Sequence, residues 1–141
     1  MREILFKGKS VMGKWVEGSY YKQEEYYGDK TDCHIIITSK DNLGNDFALD
    51  CAVCDPDTIG QYTGLTDKNG KKIFEGDIIV CRSFSGINDF QNSVVEWCEL
   101  LLCFRAGKHS LYGDFEQEYE VIGNIHDNPE LLKGGADNDN V

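Results

Sequence analysis

Residues 62–80 carry the strongest structural signal of this chain, because they combine two turn signals with the strands on either side of them. The pair Asn69-Gly70 predicts a two-residue hairpin turn of type I′, in which both positions require positive φ. Gly76 predicts a second tight turn, since glycine adopts positive φ without steric cost. The β-branched run that starts at Ile78 then predicts a strand buried on both faces.

The rest of the chain repeats short strand patterns separated by polar turns, which predicts a mainly β fold. We expect an N-terminal antiparallel sheet over residues 1–55 and a small SH3-like β-barrel over residues 56–132, which ends in one short helical turn. Residues 133–141 have almost no apolar content and predict a flexible tail. Outside the central hairpin, strands are predicted at 2–7, 15–21, 34–38, 47–53, 78–81, 93–97, 100–104 and 119–125.

The charge balance limits the classes of partner. Fourteen basic and twenty-five acidic residues give a net charge of −11. This balance disfavours broad binding to nucleic-acid backbones or anionic membranes, both of which require clustered Lys and Arg. No apolar run is long enough for a signal peptide or a membrane span, so we expect a protein of the cytoplasm of whichever cell makes it.

The six cysteines are expected to be small core residues in a reducing compartment. The pair Cys51 and Cys54 forms a CxxC, but a zinc site needs a second pair of ligands at similar spacing, and the sequence has none. A redox CxxC would open a helix, whereas Pro56 follows closely here and disfavours one. We therefore predict neither a metal site nor a cofactor.

Three carboxylates near the central hairpin, Asp67, Glu75 and Asp77, are the best candidates for acid–base or metal chemistry. Each also lies where a turn needs its backbone N–H groups satisfied, and this structural role is favoured. The sequence contains neither a GxSxG nucleophile pattern nor a phosphate-binding GxxxxGK[ST] loop. We predict no catalytic residues and no enzymatic activity.

Three blocks of sequence resemble the YopX family of phage and prophage proteins: residues 4–9 with 13–18, residues 61–78 (QYTGLTDKNGKKIFEGDI) and residues 120–132 (EVIGNIHDNPELL). The resemblance implies a mostly β fold and a phage or prophage origin. It implies no activity, and it carries no catalytic or binding residue over to this chain. The loops around 23–33 and 83–92 depart from the family pattern.

Paired tyrosines flank a polar loop, and tyrosine is enriched at protein interfaces. Tyr20, Tyr21, Tyr26 and Tyr27 are therefore candidate interface residues of a non-catalytic, homo-oligomeric interaction module. A solvated sheet edge explains the same pattern equally well.

A second candidate surface is the acidic segment from 114 to 120, which includes Glu116 and Glu118 and contains no Lys or Arg. It predicts contact with a basic host or phage protein, and a solvated sheet edge explains it equally well. The alternative function is a barrel that binds single-stranded nucleic acid by stacking bases on aromatic side chains. The aromatic residues considered for that role are Trp15, Tyr20, Tyr21, Tyr26, Tyr27, Phe84 and Phe90.

Overall fold

The computed structural model describes residues 3–24, 32–38, 50–83, 86, 89–111 and 117–132. Within these ranges the chain is mainly β, as predicted, with one short 3₁₀ helix and one helical turn. The strands are β1 (Phe6–Lys9), β2 (Trp15–Gln23), β3 (Cys33–Thr38), β4 (Asp50–Val53), β5 (Gly60–Thr66), β6 (Lys72–Phe74), β7 (Asp77–Ser83), β8 (Phe90–Cys98), β9 (Cys103–Ala106), β10 (His109–Ser110) and β11 (Gln117–Asn124), and the 3₁₀ helix is Pro56–Thr58.

The chain forms two compact units, Met1–Tyr62 and Thr63–Val141, and passes from one to the other within β5. In the first unit, β4, β3, β2 and β1 pair in that order as an antiparallel sheet, and the start of β5 pairs with β1. The predicted boundary between residues 55 and 56 stays a prediction.

The second unit contains a five-stranded antiparallel sheet in the order β10-β9-β8-β7-β11. Its core is one cluster of apolar side chains, among which Ile79, Val95 and Ala106 are almost completely buried. The predicted two-sided burial of the strand after Gly76 is confirmed, because residues 77–81 of β7 are all buried. No pairing among the described strands closes this sheet into a barrel, so the SH3-like barrel is not established by these contacts.

The central hairpin is confirmed, but its predicted type I′ turn is wrong. Gly70 has φ +82°, whereas Asn69 is not among the described residues with positive φ. The Gly70 N–H donates to the Asp67 carbonyl, and the Asp67 N–H donates to the carbonyl of Lys71. This is a three-residue loop with glycine in the left-handed position. The Asp67 side chain selects it by accepting the N–H groups of Asn69 and Lys71, both at 2.9 Å.

The strand predicted at 100–104 is also wrong in its bounds. Cys98 pairs with Cys103, so residues 99–102 form the connection between β8 and β9. A continuous apolar run has no strand period of its own, and the pairing of the flanking strands decided where the chain turns.

The helical turn predicted after Pro129 is confirmed at residues 130–132. The Leu131 N–H donates to the Asn128 carbonyl, and the Leu132 N–H donates to that of Pro129. Across the described residues, no helix has both the length and the apolar character needed to span a bilayer.

Candidate interaction surfaces

The sheet of the first unit has two different faces. Its registers place Gly8, Ile36 and Cys54 on one face, and all three residues are buried. The same registers place Tyr21 and Val53 on the other face, where they are 54% and 44% exposed. The period of two along each strand therefore separates an inner face from an outer one.

Tyr20 lies on the inner face. Its hydroxyl is 2.6 Å from His34 Nδ1, and its ring stacks on the imidazole with the centroids 5.9 Å apart. The Phe6 ring lies 5.5 Å away on its other flank. Tyr20 and Tyr21 therefore point to opposite faces of β2, and a partner that covers the outer face meets Tyr21 alone.

An apolar row crosses the outer face. Tyr21 pairs with Ile35 across β2 and β3, and Ile35 pairs with Val53 across β3 and β4. Directly opposed side chains in an antiparallel pair lie close enough to touch. Together with Ile37 and Trp15, which the registers place on the same face, these residues form what we call the strand face.

The strand face is not acidic, although the whole chain is. Lys7 and Lys9 lie on it together with two acids: Glu17 is the register partner of Lys7, and Asp55 lies opposite Lys9, whose carbonyl accepts the Asp55 N–H at 3.0 Å. The Lys7 ammonium sits 5.1 Å from the centroid of the Trp15 ring, in a cation–π arrangement. This face therefore combines aromatic and aliphatic surface with two basic and two acidic groups that balance one another.

The second exposed apolar surface is the connection between β8 and β9. Leu100, Leu101 and Leu102 are 90%, 60% and 75% exposed. Trp97 lies beside them, 41% exposed, with its ring edge-on to Phe104 at a centroid distance of 5.0 Å.

We call Trp97 and the three leucines the leucine tip. Large apolar side chains that cluster at the surface are typical of protein-interaction sites.

The backbone of the leucine tip is strained. Leu102 has φ +53°, and no other non-glycine residue in the described part of the chain has positive φ. A left-handed conformation costs an L-residue about 1–2 kcal/mol, which glycine avoids. The sequence predicted a strand over residues 100–104, so this exposed surface was not expected. In the structure the leucines lie between the paired Cys98 and Cys103 and therefore belong to a loop.

The predicted acidic surface is described only in part. Glu118 is exposed on β11, opposite Arg82 of β7, and Glu120 lies 3.0 Å from the Lys68 ammonium. The fold thus brings basic groups beside acids that have none nearby in the sequence. Of the predicted interface residues, Tyr26, Tyr27 and Glu116 lie outside the described residues.

Two of the three carboxylates considered for chemistry, Asp67 and Asp77, are structural acceptors in this fold, as the sequence favoured. Asp77 is buried and accepts the Phe74 N–H at 2.9 Å. Asp67 accepts the Val121 N–H at 3.1 Å in addition to its two contacts within the turn. Burial opposes ionisation of Asp67, but the backbone donors outweigh it and hold the pKa of this carboxyl below its usual value.

Three of the six cysteines, Cys54, Cys81 and Cys98, are buried. All six cysteines are free. Burial raises the pKa of the Cys54 thiol, and burial together with the nearby Asp89 raises that of Cys81, so both stay protonated near neutral pH. Among the described residues, no group of three or more His, Cys, Asp and Glu side chains is placed to hold a metal ion.

Comparison with known families decides the classification. The chain matches the YopX protein family over residues 6–133. This chain belongs to the YopX family. The match spans all eleven described strands and the helical turn at 130–132, so it contains the second and third blocks that suggested the resemblance and, from residue 6, the first.

A solved structure shares the fold of this YopX chain. The crystal structure of protein EF1440 from Enterococcus faecalis superimposes with a TM-score of 0.52 over 94% of this chain and 99% of that one, at 24% sequence identity. At this identity the likeness shows the fold alone. No curated protein matches the chain significantly.

Proposed function

We propose that this YopX protein is a non-catalytic interaction module that self-associates through the strand face. One observation carries the proposal: the row Tyr21–Ile35–Val53 leaves apolar side chains exposed across neighbouring strands. Tyrosine contributes large contact area at a low cost in conformational entropy, which suits it to the centre of an interface.

Charge favours the same face. Two copies with a net charge of −11 each repel one another, so they associate best where few acids meet. Among the described residues of the strand face, Lys7 and Lys9 balance the two acids Glu17 and Asp55, so this face does not share the negative charge of the whole chain. This local charge makes the face suitable for contact between identical acidic proteins.

The biological setting belongs to the proposal as well. The chain belongs to the YopX family, and the phage or prophage origin implied by that resemblance leads us to propose an accessory role in the cytoplasm of the host cell. The acidic surface near Glu118 is then proposed to meet a basic host or phage protein, because opposite charges speed encounter and fix orientation.

We also propose that the second unit forms the small SH3-like barrel expected from the sequence. Two contacts favour closure, since they join the central hairpin to β11. The Lys68 N–H donates to the Tyr119 carbonyl at 2.9 Å, and the Asp67 carboxylate accepts the N–H of Val121.

The test is sedimentation velocity over a range of protein concentrations. The double variant Tyr21→Ser/Val53→Ser is expected to weaken self-association at least about tenfold, because it removes exposed apolar contact without touching the buried face. Ile4→Ser is the matched control, since Ile4 is 67% exposed but is not part of the strand face. A wild-type protein that remains monomeric throughout would refute the proposal.

Single-stranded nucleic-acid binding is the alternative, and the pairing of Lys7 and Trp15 on the strand face favours it. Basic groups beside exposed aromatics are the usual means of holding a single strand. Its signature is a shift of a labelled oligonucleotide at low salt that disappears as salt rises. Absence of a shift at low salt would exclude this alternative.

A further inference from the structure

We propose that Cys98 and Cys103 are a modification site for low-molecular-weight disulfides, which oxidise this pair to a reversible disulfide bond. The two residues are direct register partners on β8 and β9, the last pair before the connection at 99–102. Register partners in an antiparallel pair project to the same face, with Cβ atoms about 4.5–5.5 Å apart. A disulfide needs a Cβ separation of about 3.5–4.5 Å, so an approach of about 1 Å allows the bond to form.

The strand registers single out this pair of thiols. Among the described residues, every other cysteine faces a residue of another type: Cys33 faces Gln23, Cys51 faces Ile37, Cys54 faces Ser10, and Cys81 faces Phe90 and Tyr119. The CxxC pair of Cys51 and Cys54 has one exposed and one buried thiol, because positions three apart on an extended chain project to opposite faces. The strand pairing therefore brings together two cysteines that form no recognisable motif in the sequence.

The two thiols differ in their access to solvent. Cys98 is buried, with 6% of its surface exposed, whereas Cys103 is half-buried and its thiol donates to Ser110 Oγ at 3.6 Å. A reagent from solvent therefore meets Cys103 first. Cys98 lies across the strand pair from Cys103, where it is placed to attack any sulfur that becomes attached to that residue.

The reaction is a pair of thiol–disulfide exchanges, and glutathione disulfide serves as the example of the oxidant. The Cys103 sulfur loses its proton and attacks one sulfur of the reagent, whose S–S bond breaks and releases one glutathione thiolate. The Cys98 sulfur, after losing its own proton, attacks Cys103 Sγ and displaces the second glutathione thiolate. The protein thiols are thereby oxidised by two electrons, the reagent is reduced, and the two protons end on the two glutathione thiols.

Oxidation changes the loop that carries the leucine tip. The new bond ties together both ends of the connection at 99–102, on which three leucines are exposed. Glutathione keeps most thiols reduced in the cytoplasm, so in that compartment the bond is expected to form only when the glutathione pool becomes oxidised. The mobility of the leucine tip then depends on the redox state, whether or not the protein self-associates.

A redox titration followed by peptide mass spectrometry tests the proposal. The protein carries Cys33→Ser/Cys51→Ser, which removes two exposed thiols that would otherwise react between molecules. It is equilibrated with mixtures of reduced and oxidised glutathione, alkylated and digested with trypsin. Residues 83–105 form one tryptic peptide that contains Cys98 and Cys103 and no other cysteine. This peptide is expected to lack two hydrogen atoms and to resist alkylation; a peptide that carries only glutathione or only alkyl groups at every ratio would refute the proposal.

Single substitutions in the same background test the order of attack. With Cys98→Ser, glutathione is expected to accumulate on Cys103, because no second thiol displaces it. With Cys103→Ser, Cys98 is expected to stay reduced, because it is buried. The opposite pattern, with glutathione on Cys98 alone, would contradict the proposed roles of the two thiols. Circular dichroism of both variants checks that the β fold is retained.

Comparison of the folded and unfolded chains tests the role of the strand pairing without any substitution at the two sites. The same titration is carried out in buffer and in concentrated urea. Held geometry raises the effective concentration of one thiol at the other. The equilibrium constant for disulfide formation is therefore expected to be at least about tenfold larger in the folded protein. Equal constants would show that nearness in the sequence alone accounts for the bond, and would overturn the inference from the strand register.

Discussion

Asp67 satisfies three backbone N–H groups with one carboxylate. Two of them belong to its own turn, and the third is that of Val121 on β11, so this side chain ties the central hairpin to the five-stranded sheet. A buried acceptor with several donors is costly to remove, because the donors then lose their partners without regaining water. Asp67, which the sequence offered as a candidate acid or base, therefore has a structural role: it links the hairpin to the sheet.

The low pKa of Asp67 predicts a specific pH dependence of stability. A carboxyl whose folded pKa lies below its unfolded value of about 3.9 contributes stability above that value and loses it as the pH falls through the folded pKa. Asp67→Asn is expected to lower the free energy of unfolding by about 1–3 kcal/mol at pH 7, and by less at pH 3.

Urea unfolding at both pH values measures this difference. Asp57→Asn is the control, because Asp57 is an exposed carboxylate in the 3₁₀ helix. A loss for Asp67→Asn that is the same at pH 3 and pH 7 would show that the charge of Asp67 contributes nothing.

The backbone conformation of Leu102 predicts that glycine at this position will remove exposed apolar surface from the leucine tip without destabilising the fold. Because its φ is +53°, Leu102→Gly relieves about 1 kcal/mol of backbone strain, which offsets the greater entropy of glycine in the unfolded chain. Stability is expected to be unchanged or slightly higher in thermal unfolding, while one exposed leucine disappears. Leu100→Gly is the matched comparison. If Leu102→Gly lowers the stability and Leu100→Gly does not, the Leu102 side chain packs on this protein's own surface.

At the scale of elements, β2 and β3 approach so closely that only glycine fits between them at position 18. A Cβ at Gly18 would collide with the backbone carbonyl of Ile37, and a carbonyl in a paired strand cannot move aside. The absence of a side chain at this position therefore holds together the sheet on which the strand face is displayed.

Gly18→Ala is accordingly expected to destabilise the protein by about 2–3 kcal/mol. Gly13→Ala is the control: Gly13 has φ +84° but open space around it, so its cost is limited to backbone strain of about 1 kcal/mol. Chemical denaturation of the two variants in parallel measures the difference. Equal losses would mean that β2 shifts to accommodate the methyl group.

At the scale of the whole molecule, the chain has regions of unequal local stability. β7 pairs with β8 on one side and β11 on the other, and residues 77–81 are buried on both of its faces. In the described residues, β4 pairs as a strand with β3 alone, and its outer face is exposed at Val53. Local opening needs less energy where fewer contacts break.

Amide hydrogen exchange is therefore expected to be slowest in β7 and at least about tenfold faster in β4. Mass spectrometry of peptides from the two strands gives the rates under identical conditions. Equal rates would indicate that the molecule opens only by unfolding as a whole, and that its two units are one cooperative structure.

The turns and the family could be predicted from short stretches of the sequence. The positive φ of Gly70 and Gly76, the strand after Gly76 and the helical turn after Pro129 all follow from what single residues permit within a few positions. The irregular block at 61–78 was enough to identify a YopX protein. The alternation of side chains along a strand and the conformational preferences of turn residues act over a few positions. They can therefore be predicted before the fold is known.

Only the tertiary structure decided which side chains face outward. Tyr20 and Tyr21 are adjacent and chemically identical, yet the registers with β1 and β3 leave one half-buried beside His34 and expose the other. The three leucines became a tip because Cys98 pairs with Cys103. Exposure depends on which strands pair and in which register, and those contacts join residues that lie far apart in the sequence.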